Sequence, residues 1–143
     1  MKKVFYILSW IIIGLFLGLI ILIGYWLLYP YKPIVFSNQP FPVEHIFYEP
    51  GDTLIYNVDY CKSTNINPTV TRYFVDGLVY MLSSNPASPK LKGCGKTAIQ
   101  INIPSSLISG EYILKITYEY QMNPVRKVSV TAVTEKFKVV VKE

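Results

Sequence analysis

The sequence predicts an all-β antiparallel sandwich carried behind one N-terminal transmembrane α-helix. Three observations predict it. Residues 4–29, VFYILSWIIIGLFLGLIILIGYWLLY, contain no charged side chain. Beyond residue 43, apolar and polar residues alternate in short runs, the period of half-buried strands. Turn residues punctuate those runs at intervals of about 8 to 12 positions, over a length of about 100 residues, which is the pattern of a sandwich.

A helix rises about 1.5 Å per residue and a bilayer core is about 30 Å thick, so about 20 apolar residues cross it. The 4–29 run is long enough. Cleavable signal peptides have shorter apolar cores that end at small residues. This run ends Gly24-Tyr25-Trp26-Leu27-Leu28-Tyr29-Pro30, without an A-x-A-like site, so it reads as an uncleaved signal-anchor. No cysteine follows it to carry a lipid. The free amine, Lys2 and Lys3 make residues 1–3 a basic tail, while only Lys32 follows closely. That bias predicts a cytoplasmic (inner) membrane location, with the N-terminus inside and the C-terminal domain periplasmic or extracellular. Phe5, Tyr6 and Trp10 mark one interface; Tyr25, Trp26, Tyr29 and Tyr31 mark the other. Besides the lipid bilayer, a second copy is a candidate partner. Gly14 and Gly18 form a GxxxG pair, and small residues four apart let two helices approach.

Residues 30–42 read as a connector containing Pro30, Pro33, Pro40 and Pro42. Proline favours extended chain, so the segment is expected to be semi-rigid and to reach up to roughly 40 Å. Residues 34–36, Ile-Val-Phe, are too apolar to float and are expected to add an edge strand.

Residues 43–143 hold the predicted sandwich. Pro50-Gly51-Asp52 is a turn, and residues 53–60 follow as a strand with Leu54, Tyr56, Val58 and Tyr60 on one face. Residues 70–75 form a second strand, and Asp76-Gly77 turns it tightly into residues 78–82. Residues 83–95 are rich in Ser, Asn, Pro, Lys and Gly, and read as a loop. Residues 96–103 alternate with Ile99, Ile101 and Ile103 inward. Residues 104–110 turn the chain. Residues 111–121 give the clearest strand, with Tyr112, Leu114, Ile116, Tyr118 and Tyr120 on one side. In residues 126–142, Val128, Val130 and Ala132 share one parity, whereas Phe137, Val139 and Val141 share the other. A slip of one residue would bury the wrong face, so a β-bulge is expected within residues 133–136.

Pro50-Gly51-Asp52-Thr53-Leu54, and then Ile103-Pro104-x-x-Leu107-x-x-Gly110-x-Tyr112-x-Leu114, resemble the B strand and the E–F corner of bacterial and phage immunoglobulin-like domains. The resemblance spans residues 34–143. It implies an immunoglobulin-like sandwich in which Tyr112 is similar to the corner tyrosine. The chain departs from antibody domains in having no tryptophan on strand C and in placing Cys94 before strand E. No binding residue carries over, because a shared fold is not a shared function.

Cys61 and Cys94 both fall in the exported domain, where an even pair is expected to form a disulfide. Catalytic inventories are thin. His45 is the only histidine, which leaves a Ser-His-Asp or Cys-His unit dependent on it, and blue copper requires two. Zinc lacks ligands, and Asp52, Asp59 and Asp76 lack calcium-loop spacing. The expectation is no enzyme and no cofactor. From residue 34 onward, eleven Lys or Arg face nine Asp or Glu, which leaves the domain too weakly basic for nucleic acid. No Asn-x-Ser/Thr acceptor occurs, because Asn67-Pro68-Thr69 holds the forbidden proline, and this leans toward a bacterial or phage source. Arg72, Tyr73, Phe74 and Tyr80, on the 70–82 hairpin, have the composition of a protein-binding patch. The predicted role is therefore contact with a protein partner in the cell envelope, as an accessory, assembly or blocking factor. A structural part of a virion or secretion machine, and an atypical enzyme or metal carrier, are the alternatives.

Overall fold

The structure, a computed structural model, describes residues 2–28, 31–76, 78–82, 85–86 and 92–141. The first unit is built around α1 (Lys2–Leu28), 27 residues long. It is long and apolar enough to cross a membrane, and none of it is buried in protein.

The β unit begins at Lys32. Its strands are β1 (Ile34–Phe36), β2 (Phe47–Tyr48), β3 (Thr53–Lys62), β4 (Thr69–Asp76), β5 (Leu78–Met81), β6 (Asn85–Pro86), β7 (Gly93–Asn102), β8 (Gly110–Asn123), β9 (Arg126–Val133) and β10 (Phe137–Val139). One sheet has the order β1-β3-β7. The other runs β2-β10-β8-β4-β5, with β6 also on β4 and β9 also on β8. Among the described strands, the short β2 is parallel to its neighbour, β10, and an isolated parallel bridge joins Phe41 to Thr134. The inward rows of both sheets form one core: Leu54, Tyr56 and Val58 from β3 meet Val70, Phe74, Leu114, Ile116 and Phe137 from the other sheet. Two sheets around one core are consistent with a sandwich. The turn before β3 is as expected, with Gly51 at a positive φ of 93° that favours glycine.

Of the connector expected at residues 30–42, residues 32–42 belong to the β unit. β1 pairs with the end of β3, as the edge strand expected there. Asn38 then substitutes for a strand: its side-chain amide donates to the Asn57 carbonyl (3.0 Å) and accepts from Asp59 N–H (2.9 Å). Phe41 N–H donates to Val133 O at 2.8 Å, and Val43 bridges back to Tyr56, so the segment ties both sheets together. The reason is hydrophobic. Ile34 and Phe41 are buried and Phe36 packs on the core, and leaving such side chains in water would cost about 1.5–3 kcal/mol each.

The expected bulge is present. Thr134 N–H bonds to Leu114 O at 3.0 Å, while Phe137 stands opposite Tyr112. Three steps on one strand thus match two on β8. The Thr134 hydroxyl accepts the Leu114 N–H (3.0 Å), which satisfies a donor that the bulge would otherwise orphan.

The loop expected over 83–95 is shorter. Gly93, Cys94 and Gly95 belong to β7, because their pairing with β3 continues to Lys62 opposite Gly93. Asn85 and Pro86 pair with Val70 and Thr69. The turn expected at Gly77 lies outside the described residues. At the start of β8, the Tyr112 hydroxyl donates back to the Ile108 carbonyl at 3.0 Å. That bond lets a fully buried phenol close the 104–110 turn.

Candidate functional site

The four residues expected to form a patch divide between two faces. Side chains alternate along a strand, so Arg72 and Phe74 of β4 point between the sheets while Tyr73 points outward. Phe74 is a correction: it is fully buried, edge-on to the rings of Tyr112 and Phe137 at 6.4 and 6.0 Å. Tyr80 stands opposite Phe74 and its ring meets Tyr112 at 6.3 Å, so it too faces inward. Tyr73 stands opposite Met81 on the outer face, where Met81 and Val79 are 67 % and 65 % exposed. Most of the domain's tyrosines fill the core, including Tyr48, Tyr56, Tyr112, Tyr118 and Tyr120.

The inward position of Arg72 leads to a cavity of about 350 Å³ between the sheets. Val58, Val70, Ile99, Tyr118 and Tyr120 make its wall largely apolar. Among the described residues, Arg72 and Lys62 are the charged groups in that wall, and no Asp or Glu lines it. Arg72 Nε is buried without a hydrogen-bond partner, and no carboxylate pairs with this guanidinium among the described residues. The Tyr56 hydroxyl is a second buried group without a partner. The nearby guanidinium favours its phenolate, but their geometry falls short of a hydrogen bond. Lys62 is buried, and burial lowers the pKa of its ammonium.

The cavity lies beneath an open strand. β7 is ten residues long and, among the described residues, pairs with β3 on one side only. Asn57 N–H donates to Pro42 O, and Glu44 N–H donates to Ile55 O, so the odd residues of β3 bond toward the N-terminal segment. The even residues of β3 therefore bond toward β7, where they stand opposite odd residues such as Thr97 and Ile99. It follows that Lys96, Ala98 and Gln100 turn their N–H and C=O groups to the open edge. The half-buried side chains of Thr97 and Ile99 face the cavity below.

The tyrosines give this region a pH signature. Burial pushes the Tyr120 phenol up to about 12. It also raises Tyr118 and Tyr56, against the opposing charge of Arg72. Unfolded phenols ionise near pH 10. A folded-state value above the unfolded one gives stability that is complete below pH 10 or so and is lost as pH rises through about 12. The denaturant midpoint should hold up to about pH 10 and then fall, the last phenolate absorbance appearing together with unfolding. Complete ionisation of a still-folded domain near pH 10 would contradict this burial.

The other residues singled out lie apart. Cys61 and Cys94 form a disulfide as cross-strand neighbours on β3 and β7. His45 packs its ring 6.0 Å from that of Tyr48, and its backbone N–H donates to the Tyr48 hydroxyl. Asp59 pairs with Lys96 at 2.9 Å, Asp52 accepts Glu49 N–H at 2.7 Å, and Asp76 sits beside Gly110. Among the described residues, no three His, Cys, Asp or Glu gather as a metal site. Gly14 and Gly18 lie one turn apart on α1, with open space where a Cβ would stand.

The cavity and the open edge escape sequence reasoning for a topological reason. Arg72 carries a visible signal, an arginine at an inward parity position. Nothing local shows that β7 lacks a second neighbour among the described residues. No model of a known protein family matches the chain, and a search of curated proteins finds no match.

Proposed function

We propose that this chain is a single-pass protein of the cytoplasmic membrane that holds an immunoglobulin-like domain on the outer side for contact with a protein partner in the envelope. The observation that carries the reading is α1. Its length and its freedom from charge across residues 4–28 suit a bilayer span, which supports an anchor held in lipid. The disulfide supports the outer location, because such bridges persist in oxidising compartments.

Two features support the immunoglobulin-like assignment. The order β1-β3-β7 against β10-β8-β4-β5 corresponds to an A-B-E sheet facing a G-F-C-C′ sheet. The Tyr112 hydroxyl on the Ile108 carbonyl has the geometry of a tyrosine corner. The bridge differs from that of antibodies, since it joins neighbours within one sheet. The apolar strip of Tyr73, Val79 and Met81, together with the open β7 edge, suits protein contact. Gly14 and Gly18 offer a surface on which two anchors would meet.

Protease added to outer-permeabilised bacterial cells expressing the full chain should digest the domain and leave the anchor in the membrane. A photo-crosslinking residue at Met81 should give discrete protein adducts in the same cells. A domain protected until lysis would overturn the orientation. Absence of adducts from Met81 and from the β7 edge alike would overturn the contact role.

A further inference from the structure

We propose that the open edge of β7 takes up an extended acidic strand from a partner protein, whose inward side chains enter the inter-sheet cavity and whose carboxylate pairs with Arg72. The inference rests on the protein-contact reading above and names the chemistry of that contact.

The edge supplies the main-chain half of the site. Lys96, Ala98 and Gln100 present outward N–H and C=O groups at two-residue spacing, which is what an added strand needs. The usual protections are sparse: β7 contains no proline, and its ten-residue pairing with β3 has no bulge. Lys96 is its one charged side chain, and it is held by Asp59 on the outer face.

The cavity supplies the side-chain half. A strand alongside β7 would point every second residue inward, beside Thr97 and Ile99, into a cavity of about 350 Å³. Apolar side chains suit Val58, Val70 and Tyr118. Arg72 is half-buried, and leaving its buried Nε unbonded is costly; an incoming Glu or Asp relieves that cost.

Charge decides the occupant. A second β7 would bring GCGKTAIQIN, which has a lysine and no acid, so self-pairing leaves Arg72 uncompensated. Residues 87–91 of the chain itself, Ala-Ser-Pro-Lys-Leu, likewise carry no acid. A foreign acidic strand fits where these do not.

The test uses the full chain in nanodiscs and a fluorescent nine-residue peptide with Val, Glu, Val and Val at alternate positions and Thr between them. The probe should bind saturably, and changing its Glu to Lys should weaken binding at least about tenfold. Arg72→Met should level the two peptides. Ala98→Pro removes one outward N–H at an edge position where proline is tolerated, and it should weaken both peptides by about tenfold or more. Its thermal unfolding should match that of the parent.

Equal binding of the two peptides to the parent protein would overturn the carboxylate–Arg72 pairing. Binding that depends on Arg72 but ignores Ala98→Pro would overturn strand addition in favour of an anion held in the cavity. Loss of peptide binding when the protein concentration is raised enough to dimerise would assign the edge to a second copy and overturn the foreign strand. No binding of either peptide would overturn this inference, whereas the contact role is judged by the cellular crosslinks alone.

Discussion

Phe41→Ala should destabilise the domain by about 3–5 kcal/mol, the cost of emptying a buried phenylalanine site. That is a large part of the total stability of an ordinary domain, about 5–15 kcal/mol. The residue sits in a stretch with the composition of a tether, yet it is 0 % exposed. Its ring stacks on Tyr56 at 5.9 Å and meets Phe36 edge-on at 5.1 Å. Its N–H bonds to Val133 and its carbonyl accepts from Glu135, and both bonds survive the substitution. The loss is therefore one of packing, at the point where the N-terminal segment crosses from one sheet to the other. Val35→Ala is the control. Val35 is nearby in sequence but 50 % exposed, and its loss should cost within about 0.5 kcal/mol. Both tryptophans lie in α1, so urea unfolding should be followed by the near-ultraviolet dichroism of the tyrosines. Equal midpoints for the two variants would return the segment to the status of a tether.

The packing of that stretch shows what one sequence makes legible. β3 and β8 are central strands with one face in the core, so their alternation is complete and both could be drawn almost to the residue. The bulge was legible for the same reason, because a parity slip leaves a mark in the letters. Residues 30–42 mislead because proline count and apolar content point opposite ways, and burial of Phe36 and Phe41 decides the matter. The hairpin patch misleads differently. Tyr73 and Phe74 are adjacent in sequence and face opposite ways, so adjacency gave a composition and not a surface. Arg72 lines the cavity between the sheets. The openness of β7 depends on what pairs with it from elsewhere in the chain, which no local pattern records.

Replacing both bridging cysteines, Cys61→Ser with Cys94→Ser, should destabilise the domain by about 3–4 kcal/mol in the chain-entropy account. The residues are 33 apart in sequence. The loop they close contains β4, β5 and β6, all of which depend on pairing outside it or with one another. Both cysteines are exposed at the end of the β3–β7 ladder, just before its last pair, Lys62 with Gly93. Two serines there open no cavity, so the native state loses little, and the effect falls on the unfolded chain, which becomes freer and more extended. That predicts a paired signature: the urea midpoint falls while the slope of stability against denaturant rises, because more surface is exposed on unfolding. Phe41→Ala should lower the midpoint and leave the slope unchanged. A reduced midpoint with an unaltered slope in the serine variant would place its loss in the folded state, at the frayed end of the ladder. A domain indifferent to reduction would also remove one support for the proposed location on an oxidising side of the membrane.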